Sequence, residues 1–211
     1  MLKDYDPRDD GPATAGVADR RRPGKRHRAV LLIGRATYAG TEVACLIHDI
    51  SAGGMMARFA VPPVVGDRMT IAMRGLDMVE ATVRWVRDRK AGLEFAMLQP
   101  VERVFQPVDE AGLIARAPRF ALVRPALLRF GDKRLAARTI DVSAGGAKIA
   151  TPWPMRVGDT GQLLLPDTGS SLYGRMCWVR PSDAAGEAGV RCGFRFVTPL
   201  SLEALAHILA G

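Results

Sequence analysis

The residues best suited to chemistry lie in a short turn that occurs twice in the chain. The first copy, Asp49-Ile-Ser-Ala-Gly-Gly54, places a carboxylate, a hydroxyl and paired glycines between apolar segments. The second copy, Asp141-Val-Ser-Ala-Gly-Gly146, begins 92 residues later (141 − 49 = 92). A carboxylate accepts paired N–H donors such as those of guanine, and glycine lets a ligand approach the backbone. Taken alone, the pattern is more often a β-turn held by local hydrogen bonds of Asp and Ser.

A dense basic segment precedes only the first turn. Residues 20–28, Arg-Arg-Arg-Pro-Gly-Lys-Arg-His-Arg, hold six Lys or Arg and no acid. Pro23-Gly24 separates Arg22 from Arg26, which disfavours a helix and predicts a loop-like arm. Guanidinium groups match phosphate oxygens and the O6/N7 edge of guanine, and they stack on bases. By itself the arm is also typical of a solvated basic tail or of one that coats nucleic acid nonspecifically.

Composition narrows the class of protein. The 211 residues are 48% hydrophobic and carry a net charge of +8, which indicates a globular protein with anionic partners. Residues 1–19 hold five Asp and few bulky apolar side chains, so we expect a disordered tail. Cys45, Cys177 and Cys192 lack CxxC spacing, which favours reduced thiols over a metal site. No apolar run suits a membrane helix or a secretion signal, and we expect a cytoplasmic protein.

Short apolar segments at regular spacing predict a mainly β protein. Residues 30–38 and 42–50 have the composition of strands, with Ala39-Gly40 as a hairpin turn between them. Between residues 68 and 74, Met and Ile alternate with Arg and Thr, which is the period of a half-buried strand. Such segments indicate small barrels or sandwiches.

Landmarks recur in order, which indicates a tandem repeat. The recurring landmarks are Gly66-Asp67 and Gly158-Asp159 (92 apart), Trp85 and Trp178 (93 apart), and Gly92 and Gly193 (101 apart). We place the domains at residues 20–106 and 119–211, joined by a linker at 107–118, with short helices near 101–106 and 200–209. The matching tryptophans favour core or barrel packing over stacking platforms.

Together, the arm and the first turn resemble the signature of PilZ domains, bacterial receptors for cyclic di-GMP. The match consists of Arg22-x-x-x-Arg26, preceded by Arg21, and of Asp49-x-Ser51-x-x-Gly54 beginning 23 residues after Arg26. A glycine-x-x-phenylalanine strand near each domain end also resembles the family, and the resemblance covers nearly all of the chain after residue 19.

The resemblance implies two tandem six-stranded antiparallel β-barrels, each with a short carboxyl-terminal helix. It also implies that Arg22 and Arg26 grip the phosphates and guanine bases of cyclic di-GMP, and that Asp49 and Ser51 hydrogen-bond guanine. Gly54 would allow close approach, and Arg21 would be a stacking partner that favours an intercalated ligand dimer.

The second domain departs from this pattern. Asp141, Ser143 and Gly146 are present, but counting four residues back from Arg124 gives Phe120 instead of arginine. Arg119 stands one position earlier, where a strand would direct it to the opposite face. We therefore expect Arg124, Asp141, Ser143 and Gly146 to form at most a weak second site, and the domain to serve mainly in docking.

Catalysis has little support, since no P-loop, dinucleotide fingerprint, zinc motif or paired carboxylates occur. We expect a receptor that is not an enzyme and needs no cofactor or metal. Its ligand would be cyclic di-GMP, and it would act on an unidentified downstream protein. Two alternatives remain: a ligand-free adaptor for protein interactions, and a basic nucleic-acid-binding protein, which the lack of an exposed aromatic series disfavours.

Overall fold

The structure, a computed structural model, describes residues 27–106, 108, 116–182 and 189–211. The tail predicted at residues 1–19 and the arm up to Arg26 lie outside these described residues.

The first domain is a closed antiparallel barrel followed by a short helix. Its strands pair in the order β1-β2-β3-β6-β5-β4, and β4 returns to β1. The predicted hairpin turn is present, with Ala39 and Gly40 both at positive φ (50° and 74°). The elements are β1 His27–Tyr38, β2 Thr41–Ser51, β3 Gly54–Phe59, β4 Arg68–Met73, β5 Leu76–Arg87, β6 Lys90–Phe95 and α1 Glu102–Phe105.

The second domain repeats this barrel and ends in a longer helix. Strands β8, β9, β10, β13, β12 and β11 close a ring, and the short β7 adds to β9. The prediction of two tandem six-stranded barrels, each followed by a helix, is confirmed. The elements are β7 Phe120–Ala121, β8 Pro125–Phe130, β9 Lys133–Ser143, β10 Gly146–Thr151, β11 Thr160–Leu165, β12 Ser170–Pro181, β13 Val190–Phe196 and α2 Leu202–Ala210.

Each barrel encloses its own apolar core, which its helix helps to close. Val101 and Val104, at α1, are buried in the first core. Leu202, Leu205 and Ile208, on one face of α2, are buried in the second. Within the described part of the chain, no helix is long and apolar enough to cross a membrane.

The repeat extends to matching hydrogen bonds in the turns. Asp67 Oδ2 accepts from the amide of Val64 at 2.8 Å, and Asp159 Oδ2 accepts from the amide of Arg156 at the same distance. The glycine before each aspartate has a φ of 97° or 96°, a conformation that side chains disfavour. These turns therefore have one geometry in both barrels, as the 92-residue interval predicts.

The two barrels are in contact through β1 and β2 of the first. Ala44 is only 3% exposed and belongs to the core cluster of the second barrel, against which Ile33 and Leu46 also pack. An ion pair between Arg58 on β3 and Glu203 on α2 borders this contact. We call Ile33, Ala44 and Leu46 the covered face of the first barrel.

Gly54→Ala is expected to destabilise the first barrel, because a Cβ there would lie 2.3 Å from the carbonyl oxygen of Leu93. Strands must shift to relieve that overlap, at a cost of about 1–3 kcal/mol. Gly53→Ala is the matched control, since its Cβ would meet only Leu98 Cδ2 at 3.8 Å. Chemical denaturation measures both variants, and equal stabilities would show that the close approach is not a constraint.

Candidate functional site

A β-bulge positions the carboxylate of the first turn. Ile47 pairs with Ala57 and Asp49 pairs with the adjacent Met56, so His48 is the extra residue in β2. Ile47 is fully buried, whereas Asp49, two residues on, is partly exposed. Without the bulge, these two side chains would point to the same face. The bulge thus directs Asp49 away from the core.

The carboxylate of Asp49 is incompletely satisfied. Its Oδ1 is enclosed and has no hydrogen-bond partner within the described part of the chain. Burial, together with the positive charges of Lys90 and Arg58, lowers the pKa of the neighbouring His48 from 6.5. The imidazole is therefore neutral at pH 7 and contributes no charge to Asp49. An enclosed carboxylate oxygen without a donor is well suited to receive one from a ligand.

The turn itself is held by its own serine. Ser51 Oγ donates to the carbonyl oxygen of Gly54 at 3.2 Å, and Ser143 Oγ makes the same contact with Gly146 at 3.2 Å. The hydroxyl proton of Ser51 is thus used within the turn, and only its lone pairs remain to accept from a ligand.

An exposed indole lies in the same row of the barrel surface as Asp49. The row runs from Asp49 to Met56, then to Gly92 and to Trp85 on neighbouring strands. Trp85 is 43% exposed and lies over Gly92, where a Cβ would be 1.9 Å from the indole Nε1. An exposed indole face can stack on a nucleobase.

This placement of Trp85 differs from the expectation of pure core or barrel packing. Val83 is 1% exposed, and by strand alternation Trp85 would share its buried face. The register shifts between these residues, however, so the bulge turns Trp85 to the outer surface. Trp85 packs on the barrel from outside, and sequence alternation alone could not reveal it.

The predicted arginine residues of the arm, Arg21, Arg22 and Arg26, lie outside the described residues. Where the description begins, His27 pairs with Ile50 and Arg28 with Asp49 in the register of β1 and β2. The chain therefore joins the barrel beside the carboxylate, directly after Arg26.

In the second barrel, the equivalent carboxylate is already paired. Arg119 Nη1 donates to Asp141 Oδ1 at 2.6 Å. Ala121 pairs with Asp141 as Arg28 pairs with Asp49, so Arg119 occupies the position of Arg26. Arg119, which precedes β7 and is not inside a strand, thus reaches the turn, contrary to the expectation that it faces away. The signal for it was the 22-residue interval to Asp141.

Arg124 was aligned with the arginine motif, and the structure places it elsewhere. Its guanidinium contacts Asp167 Oδ2 at 3.0 Å and donates to the carbonyl oxygens of Ile208 and Leu209 at 3.3 and 3.2 Å. It therefore holds the carboxyl end of α2 and has no printed contact with the turn at Asp141. The structure brings Asp141, Ser143 and Gly146 together, with Arg119 in place of Arg124.

The second indole is also covered by a cation. Trp178 lies over Gly193 as Trp85 lies over Gly92. The guanidinium carbon of Arg180 is 5.8 Å from the centroid of the Trp178 ring. Among the described residues, no group of His, Cys, Asp or Glu is arranged to hold a metal ion in either barrel.

Asp141→Ala is expected to destabilise the ligand-free protein, whereas Asp49→Ala is expected to be neutral or stabilising. The first change removes the pair with Arg119, and the second removes an unsatisfied oxygen. Because Arg119 is 41% exposed, solvent limits the loss to about 1 kcal/mol or less. Thermal melts of both variants without ligand measure the difference, and the reverse order of stabilities would contradict this account.

Comparison with known proteins agrees with the architecture. The chain is similar to the crystal structure of Borreliella burgdorferi PlzA in complex with c-di-GMP, at 13% identity and a TM-score of 0.37, covering 88% of this chain and 93% of that one. It is also similar to the complex of K. pneumonia MrkH with c-di-GMP (11%, 0.37, 89% and 94%) and to that of Escherichia coli YcgR (14%, 0.32, 79% and 76%).

These likenesses are too distant to assign residues, and no curated protein matches the sequence. The model of the PilZ domain matches residues 20–105 and again residues 114–211, which together are most of the chain. The chain therefore belongs to the PilZ domain family and carries two such domains in tandem.

Proposed function

We propose that this protein is a cyclic di-GMP receptor with one ligand site, in its first barrel. The observation that carries the proposal is the enclosed Oδ1 of Asp49, which has no partner within the described residues. It lies where the arginine arm joins β1, and its row on the barrel surface ends in an exposed indole. Anion clamp, guanine acceptor and stacking face are the groups that a cyclic guanine dinucleotide requires.

The arm supplies the positive charge. Arg22 and Arg26 bind phosphates and the O6/N7 edges of the bases, with bidentate geometry that lysine lacks. Arg21 stacks on an outer base, which favours an intercalated pair of ligand molecules.

The turn identifies the base. Asp49 accepts from N1–H and N2–H₂ of guanine through the oxygen that is now unpaired. Ser51 and Gly54 hold the turn, and Trp85 offers a face to the second base. Nucleic acid would not need Asp49, because a carboxylate repels phosphate.

The second barrel acts in docking instead of ligand binding. Asp141 is paired with Arg119, and the carbonyl oxygen of Arg119 accepts from Arg35 Nη1 of the first barrel at 2.8 Å. One arginine thus closes the second turn and joins the two domains. On this proposal the domains span residues 20–106 and 119–211, and residues 107–118 link them.

Signalling follows from the position of the arm. The arm leads into β1, and Leu31, Leu32 and Ile33 of β1 line a cleft of about 460 Å³ between the barrels. Leu31 has a φ of 44°, which a non-glycine residue adopts only under strain. Ligand binding orders the arm, moves this segment and changes the domain arrangement, which a downstream protein detects in the cytoplasm. No catalytic step is involved.

Cyclic di-GMP is expected to bind the full chain, and Arg22→Ala, Arg26→Ala or Asp49→Ala each to weaken it. One charge-assisted contact contributes about 1.5–3 kcal/mol, or ten- to a hundredfold in affinity. Trp85→Ala is expected to weaken binding by about 1–3 kcal/mol through the lost base stack. Isothermal titration calorimetry measures affinity and stoichiometry.

Asp141→Ala is the matched control for this titration and is expected to leave affinity and stoichiometry unchanged. A wild-type titration without heat, together with no thermal shift, would refute the proposal. Binding that falls steeply with salt and tolerates Asp49→Ala would indicate a nucleic-acid-type anion site instead.

Cyclic di-GMP is also expected to change the small-angle scattering profile of the wild-type chain. The reason is that the arm and the cleft share β1, so ordering the one displaces the other. Arg22→Ala at the same ligand concentration is the control and should retain the ligand-free profile. Saturated wild-type protein with an unchanged profile would separate binding from rearrangement and disprove only the latter.

A further inference from the structure

One edge of the second barrel makes the contact with the first barrel. This edge consists of the turn residues Ala144 and Gly145 and of Pro199 and Leu200, which lead into α2. They line the cleft opposite the covered face, and Leu200 packs in the core cluster that includes Ala44. We call these four residues the docking edge of the second barrel.

The first barrel has the same edge, and there it is exposed. Gln99 N donates to Ala52 O at 2.9 Å, just as Leu200 N donates to Ala144 O at 2.8 Å. Met97 and Leu98 precede Gln99 and are 76% and 81% exposed. Leu98 is within ordinary contact distance of the position of a Cβ on Gly53. The docking edge of the first barrel therefore consists of Ala52, Gly53, Met97 and Leu98.

The second barrel likewise has an equivalent of the covered face. Pro125 pairs with Arg138 as Ile33 pairs with Leu46, so Ala136 corresponds to Ala44 (44 + 92 = 136). Ala44 is buried beneath the second barrel, whereas Ala136 is exposed. A concave surface of about 260 Å³ lies here and includes Ala136, Ala137 and Ala150. Its small side chains leave room for protruding ones such as Leu98.

Charge follows the same correspondence. Glu203 in the first turn of α2 pairs with Arg58 of the first barrel. Glu102 stands at the equivalent place in the first turn of α1, three residues after Gln99, and is exposed. In the second barrel the position of Arg58 is taken by Ala150, and a cation, Arg138, is its direct cross-strand neighbour. An acid on the exposed edge thus faces a cation on the exposed concave surface, one strand from its counterpart.

We infer that this protein associates with a second copy of itself by repeating its internal interface between chains. The docking edge of the first barrel, at Met97 and Leu98, binds the concave surface at Ala136 of the other chain's second barrel. Both unused surfaces are thereby covered, and the contact is head-to-tail. Two chains that make the contact reciprocally form a closed dimer of four barrels.

Sedimentation velocity of the full chain, over a wide range of concentration, tests this inference. Wild-type protein is expected to shift with concentration from 22.8 kDa towards twice that mass. Leu98→Glu on the edge and Ala136→Glu on the concave surface should each abolish the shift, because a charge would be buried in an apolar contact. Tyr173→Glu, at another exposed position of the second barrel, is the control and should still dimerise.

Mixing the two defective variants identifies the head-to-tail geometry. The Leu98→Glu chain keeps an intact concave surface and the Ala136→Glu chain an intact edge, so the mixture is expected to regain dimer mass through one contact. Circular dichroism confirms that each variant is folded. Wild-type protein that stays monomeric at all concentrations, full association of either variant, or a mixture that stays monomeric would each overturn the inference.

The outcome is separable from that of the proposed function. Ala136 lies on the second barrel, away from Asp49, so Ala136→Glu should bind cyclic di-GMP like wild-type protein by calorimetry. Loss of self-association with unchanged ligand affinity supports both proposals independently. Lost ligand affinity in this variant would instead mean that the site requires the dimer, and a site confined to the first barrel would be wrong.

Discussion

How each barrel satisfies the carboxylate at the end of its bulged strand determines how the two domains differ. An enclosed charged oxygen without a hydrogen-bond donor costs about 1–3 kcal/mol or more. In the second barrel Arg119 supplies the donor, and its carbonyl oxygen then receives Arg35 from the first barrel. In the first barrel no described residue supplies one to Asp49 Oδ1. Stability is thereby given up at one turn, and a domain contact is gained at the other.

The two barrels share their framework and differ in what covers their surfaces. Gly92 and Gly193 each lie beneath a tryptophan, because no side chain fits under the indole. Trp85 has no printed cation over its face, whereas Arg180 lies above Trp178. Met56, beside Asp49, is replaced by Lys148 beside Asp141. The second surface thus carries its own cations where the first depends on the arm, which explains how one fold can have two roles.

Much of the fold could be predicted from the sequence because it depends on local patterns. Alternating apolar residues, turn glycines and the 92-residue repeat correctly predicted the strands, both barrels and both helices. Trp85 was misplaced because a β-bulge after Val83 breaks the alternation on which that prediction depended. Arg119 was missed because a register shift in β1, between Arg28 and Leu32, has no counterpart of equal length in the second barrel. Bulges leave no pattern in a single sequence, and the domain contact at Ala44 has none either.

The retained motif in the second barrel has a structural explanation that requires no ligand. Gly146 is needed because a Cβ would lie 2.5 Å from the carbonyl oxygen of Phe194, and Ser143 closes the turn. Asp141 is needed to hold Arg119. Gly54 and Ser51 perform the same structural tasks in the first barrel, so their presence does not distinguish a ligand site from a docking surface. The distinction lies in the partner of the aspartate: a carboxylate already bound by its own arginine has no acceptor left for guanine.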